Sequence, residues 1–243
     1  MERHRPRDNR TLSQEVFEKR ASNNPYLKHI YEYPAFILPH PSAPQFKLFW
    51  QSHYSPEKKV YVDIGCGSGR YLFELCRMHP HALCIGFELR YKRLVLAAKK
   101  FQQLKCDNAF LIKDKGEFLN EYFAPETISC VSINFPDPWS KRAQRKNRLL
   151  SEEFFAKLYP LMRPQGSLFF KTDHQEYFQE VLRISQQLSQ YQVEIFTNDL
   201  HRSVYSEGNI ETEFESLFRS KGNPPIGYLK LQVLKTLPIA NLK

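Results

Sequence analysis

Apolar residues recur along the chain in two periods, and the changes between them predict an alternation of strands and helices. Residues 60–64 form a short β-branched run, and apolar residues follow at helical spacing over residues 71–78. The same reading predicts strands at residues 82–88, 108–112, 127–133, 166–171, 193–196 and 228–233, and helices at residues 46–54, 91–104, 117–122, 151–161 and 175–188. This pattern predicts an α/β fold, with a doubly wound, mainly parallel seven-stranded sheet and helices on both faces.

The turn between the first strand and its helix is rich in glycine. Gly65, Gly67 and Gly69 let the backbone turn sharply and approach a ligand, to which the following helix presents free N–H groups. A dinucleotide fingerprint would need glycine where Arg70 stands, so a nicotinamide cofactor is disfavoured. The spacing suits S-adenosylmethionine, a nucleoside with an amino-acid tail, whose ammonium or a bound water would donate to Asp63. A plain tight turn is the alternative.

Carboxylates close the next two strands. Glu88 lies at about the twenty-residue offset expected for a ribose ligand, where it would accept hydrogen bonds from both hydroxyls. Each charge-assisted bond of this kind is worth about 1.5 to 3 kcal/mol. A surface glutamate that opens the next helix is the alternative. Asp114 could accept a hydrogen bond from an adenine amino group, and an ordinary acidic turn residue is the equal alternative.

The loop after the fourth strand, residues 134–148, carries the most specific chemistry. Pro136 and Pro138 fix their φ angles and donate no N–H, so they hold Asp137 on a stiff turn at the edge where a cofactor should lie. Five basic residues follow, namely Lys141, Arg142, Arg145, Lys146 and Arg148. A solvated basic face is the default interpretation of such a run, but its attachment to this loop favours contact with phosphate.

Composition narrows the class of protein. The chain has 243 residues and a formal net charge of +9, which favours a polyanionic partner such as nucleic acid. The five cysteines form no C-x-x-C pair, so we expect a reducing compartment and no metal site. No apolar run approaches the roughly eighteen residues that a membrane span needs. We therefore expect a cytoplasmic protein without a membrane partner.

Taken together, the motifs resemble those of the bacterial tRNA (guanine-N7)-methyltransferase family. The matching segments are Asp-Ile-Gly-Cys-Gly-Ser-Gly at residues 63–69, Gly-Phe-Glu at 86–88, Phe-Pro-Asp-Pro-Trp-Ser-Lys at 135–141, Thr-Asp at 172–173 with Tyr177, and Thr-Glu-Phe-Glu at 212–215. The resemblance implies a Rossmann-like class I methyltransferase that uses S-adenosylmethionine to methylate N7 of the variable-loop guanosine at tRNA position 46. The resemblance covers roughly residues 60–243. The chain length and the alternation of apolar runs predict one catalytic domain over residues 25–243, and the arginine-rich start with few apolar residues predicts a basic, flexible arm over residues 1–24.

The resemblance also assigns site residues. The cofactor contacts are Asp63, Gly65, Gly67, Glu88, Asp114 and Asp137, with Asp137 also at the reacting centre. The substrate nucleoside contacts are Lys141, Asp173, Thr212, Glu213, Phe214 and Glu215. The basic run itself predicts the tRNA phosphate contacts, which are Arg142, Arg145, Lys146 and Arg148. We expect tRNA as partner, no obligatory protein partner, and a monomer or homodimer. Two departures from the family pattern are Lys115-Gly116 after Asp114, and Ala143-Gln144 where a histidine is common.

Physical reasoning supports the same chemistry. Guanine N7 already exposes a lone pair, so catalysis is chiefly alignment, worth about 7 to 11 kcal/mol, and stabilisation of charge on the purine. Asp137 and Asp173 are candidates for reading the guanine N1–H and N2 amino donors or for that charge role, and Thr212 with Glu215 also fits a helix capping box. The alternatives are an amino-group methyltransferase, a nucleotide-dependent dehydrogenase and a non-catalytic RNA-binding subunit.

Overall fold

A computed structural model describes residues 14–38, 44–219, 222 and 224–235. The chain forms two compact units. The first unit comprises residues 1–122 and 210–213, and the second comprises residues 123–209 and 214–243. Within the described ranges, no helix is long and apolar enough to cross a membrane.

The first unit holds three parallel strands. Its elements in chain order are α1 (Gln14–Asn23), α2 (Tyr26–His29), α3 (Pro44–His53), β1 (Val60–Ile64), α4 (Arg70–Met78), β2 (Leu83–Phe87), α5 (Tyr91–Gln103) and β3 (Ala109–Ile112). β2 pairs in parallel with β1 on one side and β3 on the other. Every residue of these strands is buried, as expected for a parallel sheet covered on both faces. The register places Ile64 beside Phe87 and Phe87 beside Ile112, so the three strands end together.

The second unit contains the antiparallel part of the sheet. Its elements are β4 (Ile128–Asn134), α6 (Glu152–Leu158), β5 (Met162–Thr172), α7 (Gln175–Gln187), β6 (Tyr191–Thr197), α8 (Glu213–Arg219) and β7 (Gly227–Val233). β4 and β5 are parallel, whereas β7 lies antiparallel to both β5 and β6. The seven strands are ordered β3-β2-β1-β4-β5-β7-β6. The predicted seven-stranded, mainly parallel sheet is confirmed.

The secondary structure predicted from the sequence was wrong over part of the segment that precedes β1. Residues 26–44 are rich in proline and aromatic residues, and this composition predicts an extended segment draped over the domain. The structure instead has α2 followed by a 3-10 helix at Ile30–Glu32, with Leu27 and Ile30 buried. Helices of three and four residues are too short to show a period in the sequence.

The ends of two other elements also differ from the prediction. α1 covers the last part of the predicted arm, whose residues 1–13 lie outside the described ranges. The division into an arm and one catalytic domain stays a prediction. β5 begins at Met162 rather than near residue 166. Its first residues include Pro164 and Gln165, whose backbone is left-handed with φ of 59°. Proline is a sequence signal against a strand, so the apolar pattern did not predict these first residues as part of β5.

Candidate active site

The glycine-rich loop of the first unit joins β1 to α4. Gly65 and Gly67 adopt left-handed backbone conformations, with φ of 78° and 58°, which side chains with a Cβ adopt only with strain. A Cβ placed on Gly65 would meet no other atom within 4 Å, so the loop leaves open space on that side. The first N–H groups of α4 have no capping side chain at Gly69. The loop therefore has the features expected of a surface that a ligand can approach.

Glu88 lies at the end of β2 and braces the glycine-rich loop. Its Oε2 accepts a hydrogen bond from the backbone N–H of Gly67 at 3.2 Å. Its Oε1 accepts from the N–H groups of Leu89 and Arg90, each at 2.8 Å. The side chain is buried, so Glu88 is not the surface residue that was the alternative interpretation. Its carboxylate lies at the end of the second strand, and its contact with a ribose stays a prediction.

Asp114 follows β3 and is also buried. Its Oδ2 accepts a hydrogen bond from the Tyr122 hydroxyl at 2.8 Å, and its Oδ1 accepts from the N–H of Lys115 at 2.8 Å. The departure at Lys115-Gly116 therefore does not remove the carboxylate from the edge of the sheet. Asp63, buried within β1, supplies a third carboxylate. We call Asp63, Glu88 and Asp114 the acidic edge.

The pKa of Cys66 reflects its burial and the negative charge around the glycine-rich loop. Burial, followed by the nearby charges of Asp63, Glu88 and Glu213, raises the pKa of this thiol well above its ordinary value. A Cβ on Gly86 would lie 2.6 Å from the Cys66 Sγ, so the loop packs directly on β2. The thiol stays protonated, and its surroundings are negatively charged. Such surroundings favour a cationic ligand and oppose a pyrophosphate.

Residues 210–213 belong to the first unit and are tied to the glycine-rich loop. Glu213 Oε1 accepts hydrogen bonds from Ser68 Oγ at 3.0 Å and from Lys100 Nζ at 2.9 Å. Arg70 Nη2 lies 3.4 Å from Glu211 Oε2. Sequence reasoning missed Ser68 and Lys100, because 145 and 113 residues separate them from Glu213 and no local pattern links them.

In the second unit, the Asp137 side chain is exposed on the loop that follows β4. We call residues 135–139 the proline loop. Phe135 and Trp139, at its two ends, have left-handed backbone conformations with φ of 51° and 43°. The Phe135 N–H donates to the carbonyl oxygen of Lys171 at 2.8 Å. The Asp137 side chain is exposed and has no hydrogen-bond or ion-pair partner among the described residues. Its carboxylate is therefore available to a ligand.

Arg148 differs from its predicted role. Its side chain is only 1% exposed, and its guanidinium lies 4.8 Å from the centroid of the Tyr177 ring. Nε donates to the carbonyl oxygen of Pro138 at 2.7 Å, and Nη1 pairs with Glu180. A buried arginine with these partners is not accessible to a phosphate. The predicted phosphate contact is therefore corrected, because Arg148 clamps the proline loop to α7.

The other basic residues of the run remain accessible. Lys141, Arg142 and Lys146 are exposed, the last two on a 3-10 helix at Arg142–Asn147. Arg145 is partly exposed and pairs with Glu176, with 2.6 Å between Nη1 and Oε1. Arg142, Arg145 and Lys146 are thus accessible, and their contacts with phosphate stay predictions.

Glu215 also differs from its predicted role. It is 0% exposed, and its Oε2 accepts a hydrogen bond from Lys171 Nζ at 2.7 Å. Its Oε1 accepts from Asn209 Nδ2 at 2.9 Å. A direct contact with a substrate nucleoside does not fit this arrangement, because no part of the side chain is exposed and the buried Lys171 already pairs with its charge. Of the other predicted substrate contacts in this unit, Asp173 is partly exposed and Phe214 is 42% exposed.

The sequence is similar to those of known methyltransferases. A family model described as "Putative methyltransferase" matches residues 57–227. The tRNA (guanine-N(7)-)-methyltransferase of Enterococcus faecalis is 34% identical over 84% of this chain and 94% of that protein. The protein of the same name from Geobacillus thermodenitrificans is 33% identical, covering 84% of this chain and 93% of its own length. A bifunctional glycosyltransferase/methyltransferase of Fusobacterium nucleatum is 38% identical over 91% of this chain, which spans only 34% of that protein.

Solved structures show the same fold at low sequence identity. The 16S rRNA methyltransferase KamB matches with a TM-score of 0.58 and 14% identity, over 80% of this chain and 94% of its own. The antibiotic-resistance methyltransferase Kmr matches with a TM-score of 0.54 and 16% identity, over 79% and 93%. These structures support the fold, and the sequence relatives support the family. The chain belongs to the tRNA (guanine-N7)-methyltransferase family, as its motifs predicted.

Proposed function

We propose that this protein transfers the methyl group of S-adenosylmethionine to N7 of guanine in tRNA, at the variable-loop guanosine of position 46. The observation that carries the proposal is the glycine-rich loop with buried carboxylates around it in the first unit. The names of the sequence relatives and the net charge of +9 support a tRNA substrate. A tRNA substrate in turn favours the cytoplasm as the place of action.

The acidic edge fits this cofactor better than it fits a dinucleotide. S-adenosylmethionine carries a sulfonium, an ammonium, two ribose hydroxyls and an adenine amino group, all of them cations or hydrogen-bond donors. We assign the ammonium or a bound water to Asp63, the ribose hydroxyls to Glu88 and the adenine amino group to Asp114. Gly65 and Gly67 give the ligand access to the loop backbone. When bound, the cofactor supplies an electrophilic methyl group on a positively charged sulfur.

Asp137 is the residue to which we assign the chemistry. Guanine N7 has no proton to lose, so the enzyme needs alignment and charge stabilisation rather than a general base. Methylation leaves positive charge on the purine, and an exposed, unpaired carboxylate on a stiff loop is suited to stabilise it. Asp137 would also help align the cofactor. Asp173, two residues beyond Lys171, is assigned to the guanine N1–H and N2 amino donors.

The remaining contacts divide into binding and positioning roles. Lys141, Thr212 and Phe214 stay proposed contacts with the substrate nucleoside. Arg142, Arg145 and Lys146 are proposed to contact phosphates, and Arg145 must exchange its pairing with Glu176 to do so. Glu213 and Glu215 are assigned to positioning, because side chains of this protein already occupy their carboxylates.

A mapping experiment tests the proposal. The protein is incubated with a tRNA transcript and methyl-labelled S-adenosylmethionine, and the product is treated with borohydride and aniline, which cleave RNA at N7-methylguanosine. Cleavage is expected at the variable-loop guanosine. A matched transcript with 7-deazaguanosine at that position lacks the nucleophilic nitrogen and should accept no label. Label on an exocyclic amine, or no transfer to tRNA at all, would overturn the proposal.

A further inference from the structure

Lys171 and Glu215 form a buried ion pair in the second unit. Their side chains are 3% and 0% exposed, and 2.7 Å separates Lys171 Nζ from Glu215 Oε2. Removing two charges from water carries a large desolvation cost, and neutral replacements of such pairs are often equally stable or more so. Stability alone therefore does not explain this pair.

The pair joins three parts of the second unit. Lys171 Nζ also donates to Asn209 Oδ1 at 2.9 Å, and Asn209 Nδ2 donates to Glu215 Oε1 at 2.9 Å, which closes a triangle of side chains. The Lys171 carbonyl accepts from the N–H of Phe135, the first residue of the proline loop. Lys171 thus links the end of β5, the segment that ends at Asn209 and the first turn of α8.

His201 adds a fourth polar group. Its Nε2 lies 3.7 Å from Glu215 Oε1, and this nitrogen is buried without a hydrogen-bond partner in the described part of the chain. A 3-10 helix at Leu200–Arg202 carries the ring. Lys171, Asn209 and His201 therefore surround Glu215, and we call these four residues the Lys171 cluster.

The cluster is placed to control side chains with proposed substrate roles. Asp173 follows Lys171 by two residues along the chain, and Phe214 directly precedes Glu215. The Phe214 ring packs on the Phe135 ring, with 4.8 Å between centroids. A shift of α8 would therefore be passed to the start of the proline loop.

We propose that Lys171 is a positioning residue for methyl transfer, which holds Glu215 and Asn209 so that Asp173, Phe214 and the proline loop are in their working geometry before tRNA binds. This inference rests on the proposed function. Misplacing reacting groups by about an ångström typically costs on the order of a hundredfold in rate. Loss of the cluster should therefore slow transfer even in a protein that remains folded.

The test uses a double variant, Lys171→Met with Glu215→Gln. Each single change leaves one buried charge unpaired and is expected to destabilise the protein. The double variant removes both charges and retains an amide that can bond to Asn209, so it should melt close to the wild-type temperature. We expect wild-type cofactor affinity and single-turnover methyl transfer roughly a hundredfold slower at saturating tRNA. The matched control makes the same changes in an exposed pair on α6, Lys157→Met with Glu153→Gln, and should keep the wild-type rate.

The outcomes separate the two proposals. A stable double variant with the wild-type rate would show that the pair is only structural and would overturn this inference. If the double variant does not fold, Asn209→Ala decides, because Asn209 is only partly buried and its loss opens the triangle. We then expect transfer about tenfold slower, and a wild-type rate would overturn the inference. Absence of guanine N7 methylation by the wild-type protein would instead overturn the proposed function.

Discussion

The two units hold their buried carboxylates in different ways. In the first unit, Glu88 accepts from backbone N–H groups, and Asp114 accepts from one backbone N–H and a tyrosine hydroxyl. These hydrogen-bond donors are neutral. Arg93 also lies 3.9 Å from Glu88, but its side chain is half exposed, so it neutralises the carboxylate less than a buried cation would. In the second unit, the buried Glu215 pairs with Lys171, and the partly exposed Glu180 pairs with the buried Arg148. Those charges cancel, and the pairs act as braces.

This difference indicates which residues of the second unit carry chemistry. A carboxylate already neutralised by a buried cation has little left to offer a ligand, whatever its place in a motif. Asp137 and Asp173 have no such partner among the described residues. They are therefore the better candidates for contact with guanine, and the predictions below test this division between ligand-binding and bracing groups.

The largest expected effect is on folding, from Arg148→Ala. The change removes the donor to the Pro138 carbonyl and leaves Glu180 without its cation. We expect a loss of about 3 kcal/mol, at the lower end for breaking a buried pair because Glu180 is partly exposed. Urea unfolding would measure it. The matched variant Arg142→Ala changes an exposed arginine of the same run and should alter the free energy of unfolding by less than about 0.5 kcal/mol. Equal stability of the two variants would refute the bracing role.

Asp137→Asn should produce the largest effect on catalysis. The exposed side chain keeps its shape and loses its charge, so the melting temperature should not change. Methyl transfer at saturation should be at least about a hundredfold slower, the typical cost of losing one preorganised electrostatic contact. Single-turnover transfer of labelled methyl would measure the rate, with the exposed Asp107→Asn as control. A near-normal rate would move the assignment to Asp173.

Glu88→Ala should weaken cofactor binding by at least about tenfold, since a single charge-assisted hydrogen bond is worth 1.4 kcal/mol or more. Calorimetry with S-adenosylmethionine would measure the dissociation constant. Glu74→Ala, in a surface pair with Arg77 on α4, provides the control and should leave the constant unchanged. Wild-type affinity in Glu88→Ala would mean that this carboxylate serves only to brace the glycine-rich loop.

The smallest effect is expected from the exposed cations. Arg142→Ala combined with Lys146→Ala should reduce the slope of log affinity for tRNA against log salt by about 1.4 to 1.8 units, because each of the two phosphate contacts contributes about 0.7 to 0.9. Cofactor affinity should not change. Filter binding across a salt series would test this, with Arg77→Ala plus Lys157→Ala as an exposed control pair. An unchanged slope would show that the run is a solvated face.

The acidic edge could be predicted because its evidence is local. A glycine-rich turn after a buried strand, and a carboxylate after each of the next two strands, are visible in short windows of sequence. Helix and strand positions followed from periodicity for the same reason. The errors concern partners far apart in the chain. Arg148 reads as one more cation in a basic run, and Glu180, which buries it, lies 32 residues away.

Glu215 illustrates the same limit. Its motif fits a capping box at the start of a helix, but the role of the carboxylate depends on Lys171, 44 residues away. Lys171 itself sits in an apolar strand, where a lysine gives no signal of burial. Sequence patterns therefore predicted which segments form the candidate site more reliably than which side chains in them face a ligand.

The left-handed backbone at Phe135 and Trp139 lowers the thermal stability of the protein but sets the conformation of the proline loop. Left-handed backbone at a residue with a Cβ costs about 1 to 3 kcal/mol, so a chain selected for durability alone would favour glycine or asparagine at both positions. Such strain persists only where the surrounding structure fixes the backbone, so the conformation of the proline loop is set when the protein folds. The proline loop therefore has its conformation before a substrate binds.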